Sequence, residues 1–528
     1  MNGAQAVLRT LIGAGITTCF SNPGTSEMHL VAGMVATPEM RGVLCLFEGV
    51  ATGAADGYGR MAAAPAATLL HLGPGLGNGL ANLHNARRAG TPVVNMVGDH
   101  ATYHKPFDAP LDSDIEGMAA PVSKWVRRTD SVARAGIDTA AAITAARTPV
   151  GHLPGGVATL VLPSDVCWSE GGTPAAVTAV DSAPIDPDTV ERVAKVLRSE
   201  SDCLLFIGGG AMRRDALAAA SRIAQATGAR LLAEKSPARH ERGAGIPCVD
   251  RLPYPRDLAA AQLAGARHIV FAGARPPVSF FAYPGKPSTL VPDSCEVHDL
   301  GADPGALQQV ADLLAPGVPP LLAAASRPRL PRGNLTAQKA AAVLGALLPE
   351  GAIVVDEAMT SDEWLPEATA GAPAHDWLNI TGGSIGMGMP VATGAAVACP
   401  DRPVISLEAD GSAMYTLQAL WTQSREGLDV TTVIFNNASY AILEGELRRL
   451  GGFDGAAAQR SRTMIDIPGL DFVALANGMG VPATRARTAE AFAEQLRLAL
   501  AEPGPHLIEA VVPPVTATVP ARADVRPA

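Results

Sequence analysis

Aromatic side chains are scarce: phenylalanine, tryptophan and tyrosine make up 4% of 528 residues. A core without them must be filled by small aliphatic side chains, and alanine and glycine are abundant. Cysteine is sparse and unpaired. The seven thiols, Cys19, Cys45, Cys167, Cys203, Cys248, Cys295 and Cys399, show no CxxC spacing. That pattern speaks against a disulfide framework or a cysteine zinc site and fits a reducing, cytoplasmic location. There is no basic block, and the net charge is −10, so no nucleic-acid partner is expected. No apolar run approaches the length that crosses a bilayer, so no membrane span is expected. The N-terminal residues lack a basic region followed by a long apolar run, so no signal peptide is expected.

What is present is an alternation. Ile16 to Phe20, Val43 to Phe47, Ala67 to Leu72 and Val93 to Val97 are short apolar runs. Each ends in polar or turn residues: Ser21 to Ser26, then Glu48, then His71 to Asn78, then Gly98-Asp99-His100. Between the second and third, Gly49 to Arg60 reads as a helix of small residues suited to close packing. Strands alternating with helices predict an α/β fold of doubly wound parallel sheets. The length suggests about three domains. The first is read as residues 1–172, followed by a Pro/Ala/Asp-rich linker at 173–188. A central domain is read at 189–325, where Leu204 to Ile207 precedes Gly208-Gly209-Gly210, a run that reads as a turn more readily than as a nucleotide loop. A second linker at 326–334 leads to a last domain at 335–513 and a Pro/Ala/Arg-rich tail at 514–528.

The last domain holds the most informative stretch, residues 403–437. Val404 to Leu407 reads as a buried strand, Asp410-Gly411-Ser412 as a turn, and Leu417, Leu420 and Trp421 as one helix face. Gly427 ends that helix, Val430 to Phe435 is a second strand, and Asn436-Asn437 closes the unit. Parallel strands place Asp410 and Asn437 side by side at their carboxyl ends, where open sheets bind ligands. One carboxylate and one amide oxygen suit Mg²⁺ or Ca²⁺, and a diphosphate would complete the shell. Gly411 and Ser412 would offer backbone N–H groups to it. By residue type alone the stretch is equally an ordinary β-α-β unit with a turn Asp and a turn Asn.

Asp410, Gly411, Asn436 and Asn437 resemble the metal and diphosphate motif of thiamine diphosphate enzymes, with Ala409 standing where the family has its first glycine. The stretch FEGVATGAADGYGRM around Glu48, the turn Asn22-Pro23-Gly24 and the Gly-Pro-Gly at 73–75 resemble the acetolactate synthase and benzoylformate decarboxylase group of that family. The resemblance implies pyrimidine-binding, central and diphosphate-binding domains in that order. It implies thiamine diphosphate and Mg²⁺, with the metal on Asp410, Asn437 and the Ser439 carbonyl. Asn22, Pro23, Gly24, Asn78, Gly383, Ile385, Gly411, Ser412 and Leu443 fall at cofactor-binding positions, Ile385 as the apolar wedge under the bent cofactor. Glu48 would bond the pyrimidine nitrogen, acting across subunits, so a homodimer is the smallest competent unit and a homotetramer the usual one among relatives. In acetolactate synthases the central domain carries a Gly-Met-His-Gly stretch for FAD; Gly243 to Pro247 stands roughly there instead, which speaks against FAD.

The implied reaction is decarboxylation of a small 2-oxo acid, after which the enamine is protonated or ligated to a second carbonyl. His71 matches a catalytic histidine of benzoylformate decarboxylase, although a histidine at a strand end is often structural. That enzyme's second histidine has Phe280 or Phe281 in its place, and His100 and His104 are the candidates to substitute for it. The glutamine that acetolactate synthases place before an Asp-x-x-Gly stretch is missing ahead of Asp114-Ile115-Glu116-Gly117. The expectation is therefore a synthase-like decarboxylase or carboligase. The alternatives are true acetolactate synthesis from two pyruvates and a non-catalytic cofactor-binding paralogue.

Overall fold

Every apolar run noted above becomes a strand in one of three sheets. The computed structural model describes residues 1–180, 185–449 and 456–515. The expected tail beyond 515 and part of the first linker, 181–184, lie outside the described residues. The first sheet holds β1 (Thr18–Asn22), β2 (Arg41–Leu44), β3 (Ala66–Leu70), β4 (Val93–Asp99), β5 (Trp125–Arg128) and β6 (Val157–Pro163). Its order is β2-β1-β3-β4-β6-β5, parallel throughout. The next part of the chain supplies β7 (Cys203–Ile207), β8 (Arg230–Ala233), β9 (His240–Arg242), β10 (Asp250–Arg251), β11 (His268–Ala272) and β12 (Glu296–Asp299). Five of these form a parallel sheet in the order β10-β8-β7-β11-β12. The last sheet contains β13 (Ile353–Glu357), β14 (His375–Asn379), β15 (Val404–Ala409), β16 (Val430–Asn436), β17 (Ala483–Ala486) and β18 (His506–Val511). Its order is β17-β18-β16-β15-β13-β14-β9, so β9 leaves the middle sheet and pairs antiparallel with β14. The fold is thus three doubly wound α/β units. Central strands such as β4, β6 and β7 are buried at every residue, which is why they read as unbroken apolar runs.

Two helices join the outer sheets. Glu48–Ala62 and Gly388–Ala398 are built from small residues and are almost wholly buried. A Cβ on Gly57 would fall 2.0 Å from the Val391 carbonyl oxygen, and one on Gly394 would fall 1.8 Å from that of Ala54. Backbones this close admit only glycine, and one continuous core runs from Val50 and Leu76 to Met389 and Val391. A buried ion pair marks the junction with the last unit. Arg60 is bidentate to Asp56 (2.9 and 2.6 Å) and also donates to the Asn379 carbonyl oxygen at 2.7 Å. Both charges are therefore paired and bonded out of water.

Local expectations needed correction in several places. Gly73-Pro74-Gly75 is not a loop but the first turn of helix Leu72–Ala89. Proline is tolerated there because first-turn N–H groups have no intrahelical acceptor. Asp410-Gly411-Ser412 is a short helix, Asp410–Ala413, rather than a turn. The strand expected to reach Phe47 stops at Leu44, and Phe47 is the extended residue before the Glu48 helix. The helix expected to include Leu417 begins at Ala419.

Candidate active site

Glu48 opens its helix directly after the first sheet, at the helix end that favours a negative charge. Its carboxylate is buried, and Asn78 Nδ2 donates to Oε2 at 3.0 Å. A Cβ on Gly75 would lie 2.9 Å from Glu48 Oε1, so the small residue lets the carboxylate in. Asn78 and Gly75 sit on one face of helix Leu72–Ala89.

His71 caps that helix and is part of a network that the residue pattern did not reveal. Its Nδ1 lies 2.8 Å from Glu27 Oε2, and Glu27 is buried. Ser26 Oγ donates to Glu27 Oε1 at 2.7 Å, and the Gly24 N–H donates to Glu27 Oε2 at 2.8 Å. A carboxylate against Nδ1 makes that nitrogen the N–H donor and leaves Nε2 for the site. The Asn22-Pro23-Gly24 turn admits the ring, since a Cβ on Gly24 would fall 2.1 Å from His71 Nδ1. The one signal for Glu27 was its position three residues after Gly24, the spacing of a capping box.

His100 and His104 join His71 at this end of the sheet. The His100 and His104 rings are 5.5 Å apart, and His71 and Lys105 lie close enough to act on His100. Burial lowers the His100 pKa, and among the described residues its Nε2 has no hydrogen-bond partner. Asp99 beneath it is paired with Arg128 and Lys105, and Lys105 also pairs with Asp112. The structure therefore brings the three expected histidines together, and Asn78 ties Glu48 to the helix that His71 caps.

The second half stands on the last sheet. Asp410 follows β15 and is buried; Oδ1 accepts the Gly411 N–H at 2.8 Å, while Oδ2 accepts those of Asn437 (2.9 Å) and Ala438 (2.6 Å). The Gly411 N–H is thus used inside the turn instead of facing outward. Asn437 Oδ1 accepts from the Ser439 N–H at 2.9 Å, and Ala438 takes a left-handed φ of 58° to make this turn. Asn436 is held away by Glu509 at 2.7 Å. Ala409 has φ −78°, an ordinary extended value, so its methyl group is accommodated without strain. Burial raises the Asp410 pKa, opposed by backbone N–H groups. A carboxylate so placed, with an amide and a carbonyl oxygen beside it, is a donor set for a hard divalent cation. Ser412 is buried at the same turn, and Leu443, on helix Ala441–Arg449 beyond it, is half-exposed.

Between the halves runs the loop 382–386. Gly383 has φ +75°, and a Cβ there would meet the Phe280 ring at 2.8 Å. Ile385 is half-buried. The loop is fixed from both sides. Asn82 donates to the Gly386 carbonyl at 3.2 Å, Asn85 to that of Ser384 at 2.8 Å, and Glu357 accepts the Gly386 and Gly388 N–H groups at 2.6 Å each. Glu357 is pushed up to about 7 by burial, and its neighbour Glu408 is raised further by burial and by Glu357. Beside Gly383 the middle unit contributes Phe280, Phe281 and Tyr254, with Phe280 edge-on to Phe281 at 4.9 Å and tilted against Tyr254 at 5.2 Å, and Lys235 over two of the rings.

In the middle sheet the glycine run after β7 is filled from within. Glu234 Oε1 accepts the Gly209 N–H at 3.0 Å, and a Cβ on Gly208 would lie 2.6 Å from the same oxygen. Glu234, half-buried, thus takes an N–H group that a phosphate would otherwise use.

Two family models match. "Thiamine pyrophosphate enzyme, N-terminal TPP binding domain" covers residues 1–118, and "Thiamine pyrophosphate enzyme, C-terminal TPP binding domain" covers 362–510. The chain is 60% identical over 523 residues to a Mycobacterium tuberculosis protein named "Putative acetolactate synthase large subunit IlvX", covering 97% of this chain and 99% of that one. It is 27% identical to benzoylformate decarboxylase of Pseudomonas aeruginosa, over 94% and 96% of the two chains. Among solved structures, the thiamine diphosphate-dependent 4-hydroxybenzoylformate decarboxylase of Rhodococcus jostii RHA1 superposes with a TM-score of 0.84 at 25% identity, covering 98% of this chain and all of that one.

Proposed function

The chain belongs to the thiamine pyrophosphate enzyme family, in its acetolactate synthase and benzoylformate decarboxylase group, and from that premise we propose that it is a Mg²⁺-dependent decarboxylase of a 2-oxo acid that protonates the remaining acyl carbon. The observation that carries the choice of protonation is the buried Glu27–His71 pair with His100 and His104 beside it. Thiamine diphosphate, when bound, supplies the electron sink that allows CO₂ to leave. The chain's own residues do the rest. Asp410, Asn437 and the Ser439 carbonyl would hold the metal, and the Ser412 turn would face the diphosphate. Glu48 would hold a proton at the pyrimidine nitrogen, Gly383 would present its carbonyl to the ring, and Ile385 would pack against it. Glu27 fixes the imidazole of His71, leaving Nε2 to deliver a proton to the acyl carbon. Phe280 and Phe281 offer an apolar wall for the substrate side chain.

In this reading Glu48 serves a cofactor whose metal lies on a second subunit, so the working unit is a homodimer or a dimer of dimers in the cytosol. All seven thiols are free, and among the described residues no helix is long and apolar enough to cross a membrane. The reading includes no flavin, because Glu234 already occupies the glycine loop. Ala409, which stands where the family has its first glycine, has an ordinary extended φ of −78°, which speaks against a non-catalytic paralogue. Acetolactate formation is the second reading, favoured by the name of the relative at 60% identity.

A panel of aliphatic and aryl 2-oxo acids, followed for both CO₂ and carbon products with Mg²⁺ and thiamine diphosphate, separates these. Aldehyde from a bulky or aryl substrate without added FAD is expected. Acetolactate from pyruvate would establish the second reading, and no CO₂ from any substrate would overturn both.

A further inference from the structure

A second cluster of ligating side chains lies far from this chemistry, on the rim of the middle sheet. In the parallel pair β11–β12, His268 stands opposite Glu296, and Val270 stands opposite His298. Side chains repeat every second residue along a strand, so His268, Glu296 and His298 share one face. The ring stack brings His268 Nδ1 within 3.2 Å of His298 Nε2. Glu296 closes the triangle, with its carboxylate oxygens 3.8 Å from His268 Nδ1 and 3.7 Å from His298 Nε2. One donor atom from each of the three lies within 4.8 Å of the others.

These spacings have a physical reading. Two nitrogens bound at tetrahedral angles to one zinc ion stand about 3.3 Å apart. The observed 3.2 Å matches that, and the Glu296 side chain is exposed, so one of its oxygens can turn toward the same centre. The other nitrogen of His268, Nε2, faces Glu200 at 3.6 Å, just past the helix Pro187–Ser199. A carboxylate behind a ligating imidazole fixes its tautomer and orientation. Arg192, on that helix, is the basic group acting on His298, against the two carboxylates. On the edge strand β12, Glu296 is the exposed member of the three. The donor set of two imidazoles and one carboxylate also differs in kind from the all-oxygen set at Asp410, and it prefers a borderline transition cation over Mg²⁺.

We propose that His268, His298 and Glu296 bind one divalent transition cation of the zinc type, with Glu200 as a positioning residue behind His268. The site ties the end of the helix Pro187–Ser199 to the edge of the middle sheet.

The test is titration of the full-length protein, saturated with thiamine diphosphate and excess Mg²⁺, with CoCl₂ followed by visible absorption and then displacement by ZnCl₂. The expected result is one equivalent of Co²⁺ per chain, with the intense band of four-coordinate cobalt, lost on adding Zn²⁺. Glu296→Gln, at an exposed position, and Glu200→Gln should each weaken binding by about 10- to 100-fold. His298→Asn should abolish the band; if that variant fails to fold, the Glu296→Gln titration decides. No band, or a band that keeps its stoichiometry and affinity in Glu296→Gln, overturns the site.

Discussion

Glu48→Gln is expected to reduce turnover by about 100- to 10,000-fold, the usual size of a positioned proton-transfer contribution. Glutamine keeps the side-chain length and can still meet Asn78, so helix Glu48–Ala62 and its packing on Gly388–Ala398 should persist. What it lacks is the ability to hold and release a proton at the pyrimidine nitrogen. Thiamine diphosphate affinity, measured by calorimetry, should change only a few-fold while kcat collapses. Unchanged turnover would sink the activating role of this carboxylate.

Asp410→Asn should act on binding instead. The native carboxylate accepts three backbone N–H groups and, among the described residues, forms no ion pair, so a divalent cation is its natural counter-charge. Removing that charge should cost roughly 3 kcal/mol of metal affinity, or about 100-fold in Kd, as for a broken buried pair. Thiamine diphosphate retention in Mg²⁺ buffer should fall with it. Asn436→Ala is the contrast: that side chain is held by Glu509, away from the metal donors, and should leave Mg²⁺ affinity within a few-fold. Equal losses in the two variants would contradict the assignment of the donors.

Much of this was legible in the residues. Buried parallel strands are continuous apolar runs, so β1, β3, β4, β7, β15 and β16 announced themselves, and Glu48, Asp410 and Asn437 stood at strand ends where ligands gather. Their roles came from family resemblance, since an Asp and an Asn at two turns carry no label of their own. What stayed hidden depends on tertiary contact. Glu27 is one turn of chain from Gly24, but its partner His71 is 44 residues on. Phe280 reaches Gly383 across a domain boundary, and β9 leaves its own sheet to extend another. Gly73-Pro74-Gly75 carried the composition of a loop, yet Ser113 and Glu48 press so close to those glycines that only a bare backbone fits, and it coils into a helix.

In the proposed function, Glu48 and Asp410 are the two halves of one active site, contributed by different subunits. The direct measurement is CO₂ release by hybrids refolded from Glu48→Gln and Asp410→Asn chains, each inactive alone. A mixed dimer pairs the intact Glu48 of one chain with the intact Asp410 of the other, so activity should return in the mixture. Mixtures as inactive as the separate variants, despite verified exchange of subunits, would contradict a shared site.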